Sequence, residues 1–385
     1  MKILFISEFF PSQDRIFLGG VQTRTYYVAR HLSKDNEVIV VTNKESGKPS
    51  EEQDGKLKII RTGSVINKPY ATSQSIFKRF LFIFSAVKKG LELEFDIVEG
   101  SNFISHYAAF IVGFLKNKPK IAWYPDVLIG SWIKSFGLLS GIVGEVSERI
   151  ILKLPWDRYI AISKSTAEKL EKRGVSSKRI TVIGCGIDFE EFKNLDLSRK
   201  KNLTICTVAR LVSYKRVDDL LLAFDQVKKK ISHLKLQIIG DGPDYPKLKD
   251  QVEKLNIEKD VRFFTNLSRE NFLKTLAKAT VFALPSAIEG FGIAVIEAAA
   301  LKIPYIVTDL PVFKEITHNA KGGLFYPVGD IKSLARNLEL VILDVQLRRR
   351  LAEEAYLLSR NYNWEKVAFD TKIEYEVVLS GRTKR

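Results

Sequence analysis

The sequence predicts an α/β protein made of two successive open, doubly wound, mostly parallel sheets. Three observations predict it. The 385 residues are too many for one ordinary hydrophobic core. Short β-branched apolar runs alternate with longer amphipathic stretches, the pattern of strand–helix units that feed a parallel sheet. A polar, charge-rich stretch, Asp188–Asn202, interrupts the alternation, and a fresh series of strands starts at Leu203. An interdomain linker belongs at such a break.

In the first half the strand candidates are Lys2–Ile6, Glu37–Thr42, Leu57–Arg61, Asp96–Glu99, Lys120–Tyr124, Asp157–Ile162 and Ile180–Ile183. Helical periodicity falls between most of them, at Val21–Leu32, Ser75–Leu91, Ile104–Leu115, Ile142–Leu154 and Lys164–Arg173. In the second half the strands are Leu203–Ala209, Lys235–Gly240, Val261–Phe264, Val281–Leu284 and Tyr305–Thr308. Their helices are Val217–Lys230, Asp244–Leu255, Arg269–Ala277, Gly292–Leu301, Ile331–Leu340 and Arg348–Leu358.

Composition narrows the function classes. Apolar residues make up 45% of the chain and charged residues 28%, a globular balance. The first residues read as a strand rather than a secretory signal. The longest apolar runs, Phe80–Val87 and Tyr107–Leu115, are too short to span a bilayer. The expected location is therefore cytoplasmic, with a peripheral place at the inner face of the cell membrane as the variant. Cys185 and Cys206 offer neither a disulfide framework nor metal-ligand spacing. They read as two small, partly buried residues. The formal charge of +16 suits an anionic partner, and equally a lysine-coated surface. No aromatic–basic motif or helix-turn-helix pattern points to nucleic acid.

The chemistry-bearing segments lie at predicted strand ends. Glu289-Gly290-Phe291-Gly292-Ile293 follows the strand Val281–Leu284 and opens a helix that carries Glu297. Glycines let a backbone approach a ligand closely. The helix N-terminus presents amides to an anion, at the strand ends where open α/β sheets bind ligands. Carboxylates at 289 and 297 suit vicinal sugar hydroxyls. The plain alternative is a solvated Glu289 and a Glu297 paired with a lysine. Arg210 and Lys215 stand in the loop after the strand Leu203–Ala209. Two cations aimed at one point would stabilise a departing diphosphate without a metal ion. Near the start, an unusually long loop, Ser7–Leu18, precedes Gly19-Gly20 and a helix, a setting for phosphate or acceptor contact. Gly240-Asp241-Gly242-Pro243 is a turn at a strand end. It lacks the third glycine of the dinucleotide fingerprint, because Tyr245 stands there.

Taken in order, these segments resemble the retaining GT-B glycosyltransferases of glycosyltransferase family 4, across nearly the whole chain. The resemblance is strongest over Leu203–Val328. Gly19-Gly20 and the C-terminal Tyr362-Asn363-Trp364-Glu365 fit it as well. It implies two Rossmann-like domains facing a cleft. The first covers 1–190 and binds the acceptor; the second covers 191–361 and binds a UDP- or GDP-linked sugar; a last helix, about 362–385, returns to the first. By resemblance Arg210 and Lys215 clamp the diphosphate, Glu289 binds hexose hydroxyls and Glu297 the ribose. Gly19, Gly20, Gly242, Gly290 and the amides of Phe291, Gly292 and Ile293 complete the donor contacts. The reaction implied retains anomeric configuration and needs no metal and no cofactor beyond the donor.

Two departures stand out. Gly184-Cys185-Gly186-Ile187-Asp188 replaces the Pro-Asn-Gly of many relatives. Trp123-Tyr124-Pro125-Asp126 stands where many carry a histidine, leaving Asp126 or Tyr124 to position substrate. His106, in the helix after Asn102, reads as a helix residue rather than a replacement.

The expected acceptor is a growing glycan or a lipid-linked sugar. Phe77–Lys89 mixes aromatics with basic residues. Packing on the first sheet with a basic outer edge is its ordinary fate, and lying on an anionic membrane the alternative. A GT-B nucleotide-sugar epimerase and a non-catalytic nucleotide- or sugar-binding protein are the competing functions.

Overall fold

The computed structural model describes all residues except 13–14, 18, 67–72, 194, 196–202 and 384–385, with the backbone alone at 73–76 and 382–383. Much of the expected linker, part of the Ser7–Leu18 loop and the last two residues of the helix expected at about 362–385 therefore lie outside the described residues.

The chain folds as two compact units. The first comprises Met1–Gln13, Val21–Gly186 and Trp364–Arg385; the second comprises Asp14–Gly20 and Ile187–Asn363. The first runs β1 (Lys2–Ile6), α1 (Gly20–Leu32), β2 (Glu37–Lys44), β3 (Glu51–Asp54), β4 (Leu57–Val65), α2 (Ser73–Glu92), β5 (Ile97–Gly100), α3 (Phe103–Leu115), β6 (Lys120–Tyr124), α4 (Trp132–Phe136), α5 (Leu138–Lys153), β7 (Arg158–Ala161), α6 (Lys164–Glu171) and β8 (Ile180–Val182). The second runs β9 (Thr204–Val208), α7 (Val217–Lys228), β10 (Lys235–Ile239), α8 (Tyr245–Lys254), β11 (Val261–Phe264), α9 (Arg269–Leu276), β12 (Val281–Leu284), α10 (Ile293–Ala300), β13 (Tyr305–Thr308), α11 (Pro311–Ile316), β14 (Gly323–Tyr326), α12 (Ile331–Leu343) and α13 (Val345–Ser359). The last helix, α14 (Trp364–Thr383), belongs to the first unit.

The first sheet is ordered β3-β4-β2-β1-β5-β6-β7-β8, and only β3 pairs antiparallel. The second is ordered β11-β10-β9-β12-β13-β14, parallel throughout. Each reverses direction once, between β1 and β5 and between β9 and β12. Ligands of open α/β sheets gather beside the strand ends at such a reversal.

The sequence signals become structure through ordinary devices. Asn102, Ser163 and Ser268 cap α3, α6 and α9 by accepting amide hydrogen bonds from Ser105, Thr166 and Asn271, the usual role of short polar side chains. Parallel strands buried on both faces read as continuous apolar runs, and β6 and β12 are buried at every residue. Right-handed crossovers put α2, α3 and α5 on one face of the first sheet. There Phe82, Ala86, Ala108, Ala109, Val112 and Ile151 share a core with strand residues such as Leu4, Val98 and Ala122. On α14, Trp364 stacks on Tyr27 with centroids 5.2 Å apart.

Four elements differ from the sequence reading. β3, α4, α11 and β14 were not expected. Each is four to six residues long, too short for a periodic signal. β14 exists because it continues the ladder of β13, with Thr308 opposite Tyr326. α5 begins at Leu138, four residues before the expected start, because Gly137 with φ 80° separates it from α4. Both cysteines are fully enclosed.

Candidate functional site

In the second unit the loops after β9 and β12 converge at the sheet reversal. After β9 the chain makes a 3₁₀ turn, Ser213–Lys215, and Arg216 adopts a left-handed φ of 49° to start α7. This turn aims Lys215 sideways. Its Nζ donates to Glu289 Oε2 at 2.6 Å and lies 3.5 Å from the carbonyl of Ile288. The Ser286 hydroxyl donates to the same Glu289 oxygen at 3.4 Å. The Ala287 amide donates to the carbonyl of Tyr214 at 2.8 Å, tying the two loops together. Both charged side chains are mostly enclosed. Glu289 is thus paired rather than solvated.

Arg210, in the same loop, donates from Nη2 to the Tyr214 hydroxyl at 2.7 Å. Gly19 and Gly20, which fold with the second unit, sit against the same residues. A Cβ at Gly19 would stand 3.8 Å from Arg210 Cδ, and one at Gly20 would stand 3.5 Å from Ile293 Cδ1.

Gly292 caps α10 at φ 92°, and a Cβ there would come within 2.8 Å of Phe313. Glycine alone satisfies both demands. The first amides of α10 have no partners within the helix and carry its positive end. Gly242 has a packing reason of its own, since a Cβ would fall 2.2 Å from the carbonyl oxygen of Leu211. Leu211 in turn donates to the Asp241 carbonyl at 2.9 Å.

Glu297 is buried, and its partner is not a lysine. Arg269 Nη1 donates to Glu297 Oε1, and Arg269 Nε donates to Glu191 at 2.8 Å. Arg15 completes the chain at 2.6 Å from Glu191. Burial raises the Glu297 carboxyl, and Arg269 opposes the rise. Sequence reasoning missed Arg269 and Tyr214. Nothing local marks them, because each acquires its role from a partner brought close by folding.

In the first unit Asp126 follows β6 and is buried. Its Oδ1 accepts from Lys169 at 2.6 Å. Tyr124 lies inside the core, stacked on His106 at 5.0 Å, so it faces no solvent. His106 sits in α3, and burial pushes it down to about 4, which leaves the ring neutral at pH 7. Its Nε2 stands 3.0 Å from the carbonyl oxygen of Trp123 and donates to it. Beside Asp126, buried Glu148 accepts from the Leu128 amide at 3.2 Å and the Trp132 indole at 2.6 Å. Burial pushes its carboxyl up to about 7. At the first reversal, Glu8 after β1 pairs with Arg79 of α2 and accepts from Asn102 at 3.2 Å.

Comparison with known proteins decides the family. Residues 188–358 match the model for glycosyl transferases group 1, and residues 18–191 match that for glycosyltransferase family 4. The chain belongs with the family 4-like GT-B glycosyltransferases. Among its relatives, an uncharacterized glycosyltransferase of Haemophilus influenzae is 23% identical over 358 residues, covering 92% of this chain and 95% of that protein. A glycogen synthase of Mycobacterium tuberculosis is also 23% identical, covering 99% and 96%. The sucrose-phosphate synthase from Thermosynechococcus elongatus shares the fold with a TM-score of 0.82 and 18% identity over 99% of both chains. Anabaena HepE, solved with UDP and glucose, superposes at 0.76 with 17% identity over 98% and 100%. Among the described residues of this glycosyltransferase, no helix is long and apolar enough to cross a membrane.

Proposed function

We propose that this glycosyltransferase moves a hexosyl group from a UDP- or GDP-linked donor to an acceptor, with retention of anomeric configuration and without a metal ion. The reading rests on the pair Lys215–Glu289, 2.6 Å apart beside the glycine-opened start of α10. In it Lys215 and Arg210 receive the donor's diphosphate together with the first amides of α10. As the bond from the sugar's anomeric carbon to the phosphate oxygen breaks, negative charge grows on that oxygen. Fixed cations and helix-end amides stabilise it without reorganising, the service a metal ion would otherwise give. Glu289 holds Lys215 in position while the site is empty and turns its free oxygen to hexose hydroxyls. Glu297, oriented by Arg269, takes the ribose. Gly19, Gly20 and Gly242 keep the backbone close to the ligand.

The first unit takes the acceptor, a growing glycan or a lipid-linked sugar, and Asp126 positions it. Anabaena HepE, solved with UDP-glucose, makes UDP-glucose the first donor to screen. Thermal-shift measurements against UDP-, GDP- and ADP-sugars identify the nucleotide, because a ligand that binds only the native state raises its melting temperature. Lys215→Ala is expected to cut turnover by about 10²–10³, the usual effect of removing one charge-stabilising donor. Near-normal turnover in that variant overturns the assignment.

A further inference from the structure

The outer surface of the first unit carries an apolar face that the donor chemistry does not use. On α2, Phe77, Phe80, Leu81 and Phe84 point outward, with Phe77 69% and Phe84 72% exposed. The spacing i, i+3, i+4, i+7 puts them on one stripe, which Lys88 continues. On neighbouring α3, Phe114 and Leu115 are exposed. On α5 the stripe is Leu139, Val143, Val146 and Ile150, with Leu139 81% exposed; Lys153 closes it. The inner faces of the same helices pack on one core, and α3 lies between α2 and α5, so the two stripes flank the exposed end of α3. A soluble monomer seldom leaves a large contiguous apolar patch uncovered.

We propose that this three-helix face is a docking surface for an anionic lipid bilayer. Charge selects the occupant. Across α2, α3, α4 and α5 the sequence places seven lysines and arginines against three glutamates; Arg79 is buried against Glu8, which leaves six cations for the surface. Of these glutamates, Glu92 is tied to Lys89 at 3.1 Å, Glu145 to Arg149 at 2.5 Å, and Glu148 is buried. Phenylalanines seat at the headgroup–acyl boundary while lysines reach the phosphates. A second copy of this chain fits less well, because a two-fold contact would set the same cationic rim against itself.

The test is co-sedimentation of the full chain with phosphatidylcholine vesicles, with and without about one third phosphatidylglycerol, at low and high salt. Binding is expected on the anionic vesicles at low salt and little on the neutral ones. The triple variant Phe84→Ser, Leu139→Ser, Val146→Ser is expected to lower partitioning by at least about tenfold, with circular dichroism and donor affinity unchanged. Donor affinity, read separately, keeps this outcome apart from the fate of the transfer reading. Absence of wild-type binding to anionic vesicles overturns the proposal, and so does full binding by the variant. A wild-type dimer in light scattering that the variant dissolves assigns the face to a second copy instead and equally overturns it.

Discussion

Glu148 supplies a prediction whose size follows from its surroundings. The side chain is fully buried beneath the loop after β6 and receives the Leu128 amide and the Trp132 indole. These donors favour the carboxylate, yet burial outweighs them, and nearby Asp126 and Glu145 add repulsion, so the group titrates at about 7 rather than 4.5. The folded form then holds a proton that the unfolded chain releases. A carboxyl raised in this way contributes stability that is fully present below 4.5 and lost as pH climbs through 7. At 1.36 kcal/mol per pKa unit, the whole window is worth about 3 kcal/mol, and the interval from pH 5 to pH 8 about 2–3 kcal/mol. Glu148→Gln removes the titration while preserving the shape. Urea denaturation of both proteins at pH 5 and pH 8 measures the difference directly. The constant cost of a misplaced amide cancels, because only the change with pH is compared. The wild type is expected to lose about 2–3 kcal/mol more than the variant across that interval. Equal losses in the two proteins would refute a buried, protonated Glu148.

Two further outcomes concern the second unit. Arg269→Leu leaves Glu191 and Glu297 facing each other without their shared cation, which is expected to cost about 3–5 kcal/mol. Calorimetry reads the fall, and adding Glu297→Gln should recover part of it. Gly242→Ala drives a methyl group onto the Leu211 carbonyl oxygen, 2.2 Å from the ideal Cβ position. Backbone cannot swing aside as a side chain does, so soluble yield and melting temperature should both drop; an unchanged melting temperature would contradict the packing role.

Lys215 and Glu289 show why a site can look half-assigned from sequence. Each was expected to meet the donor, and the structure finds them meeting each other. The pair keeps a lysine beside a helix start that already attracts anions. A diphosphate would then replace one anionic partner of Lys215 with another, so the cation is never left bare.

The sequence by itself determined the two α/β units, most strands and helices, the glycine-opened turns and the family. These are local properties: apolar periodicity reports burial, and glycine reports a backbone position closed to other residues. For Phe77–Lys89 it favoured packing on the sheet over membrane contact, but it could not say which rings turn inward. The structure turns Phe82 and Ala86 inward and Phe77, Phe80 and Phe84 outward, because a helix aromatic all round must leave some rings uncovered. Tertiary structure alone decided the partners. Lys215 finds Glu289 across 74 positions, Arg269 finds Glu297 across 28, and the Tyr375 hydroxyl finds Glu99 across 276. Such pairings depend on which strand ends adjoin, which the order of strands in the sheet fixes and local composition does not. Short elements such as β14 and α11 were lost for the same reason, their stability being lent by neighbours rather than encoded in their own few residues.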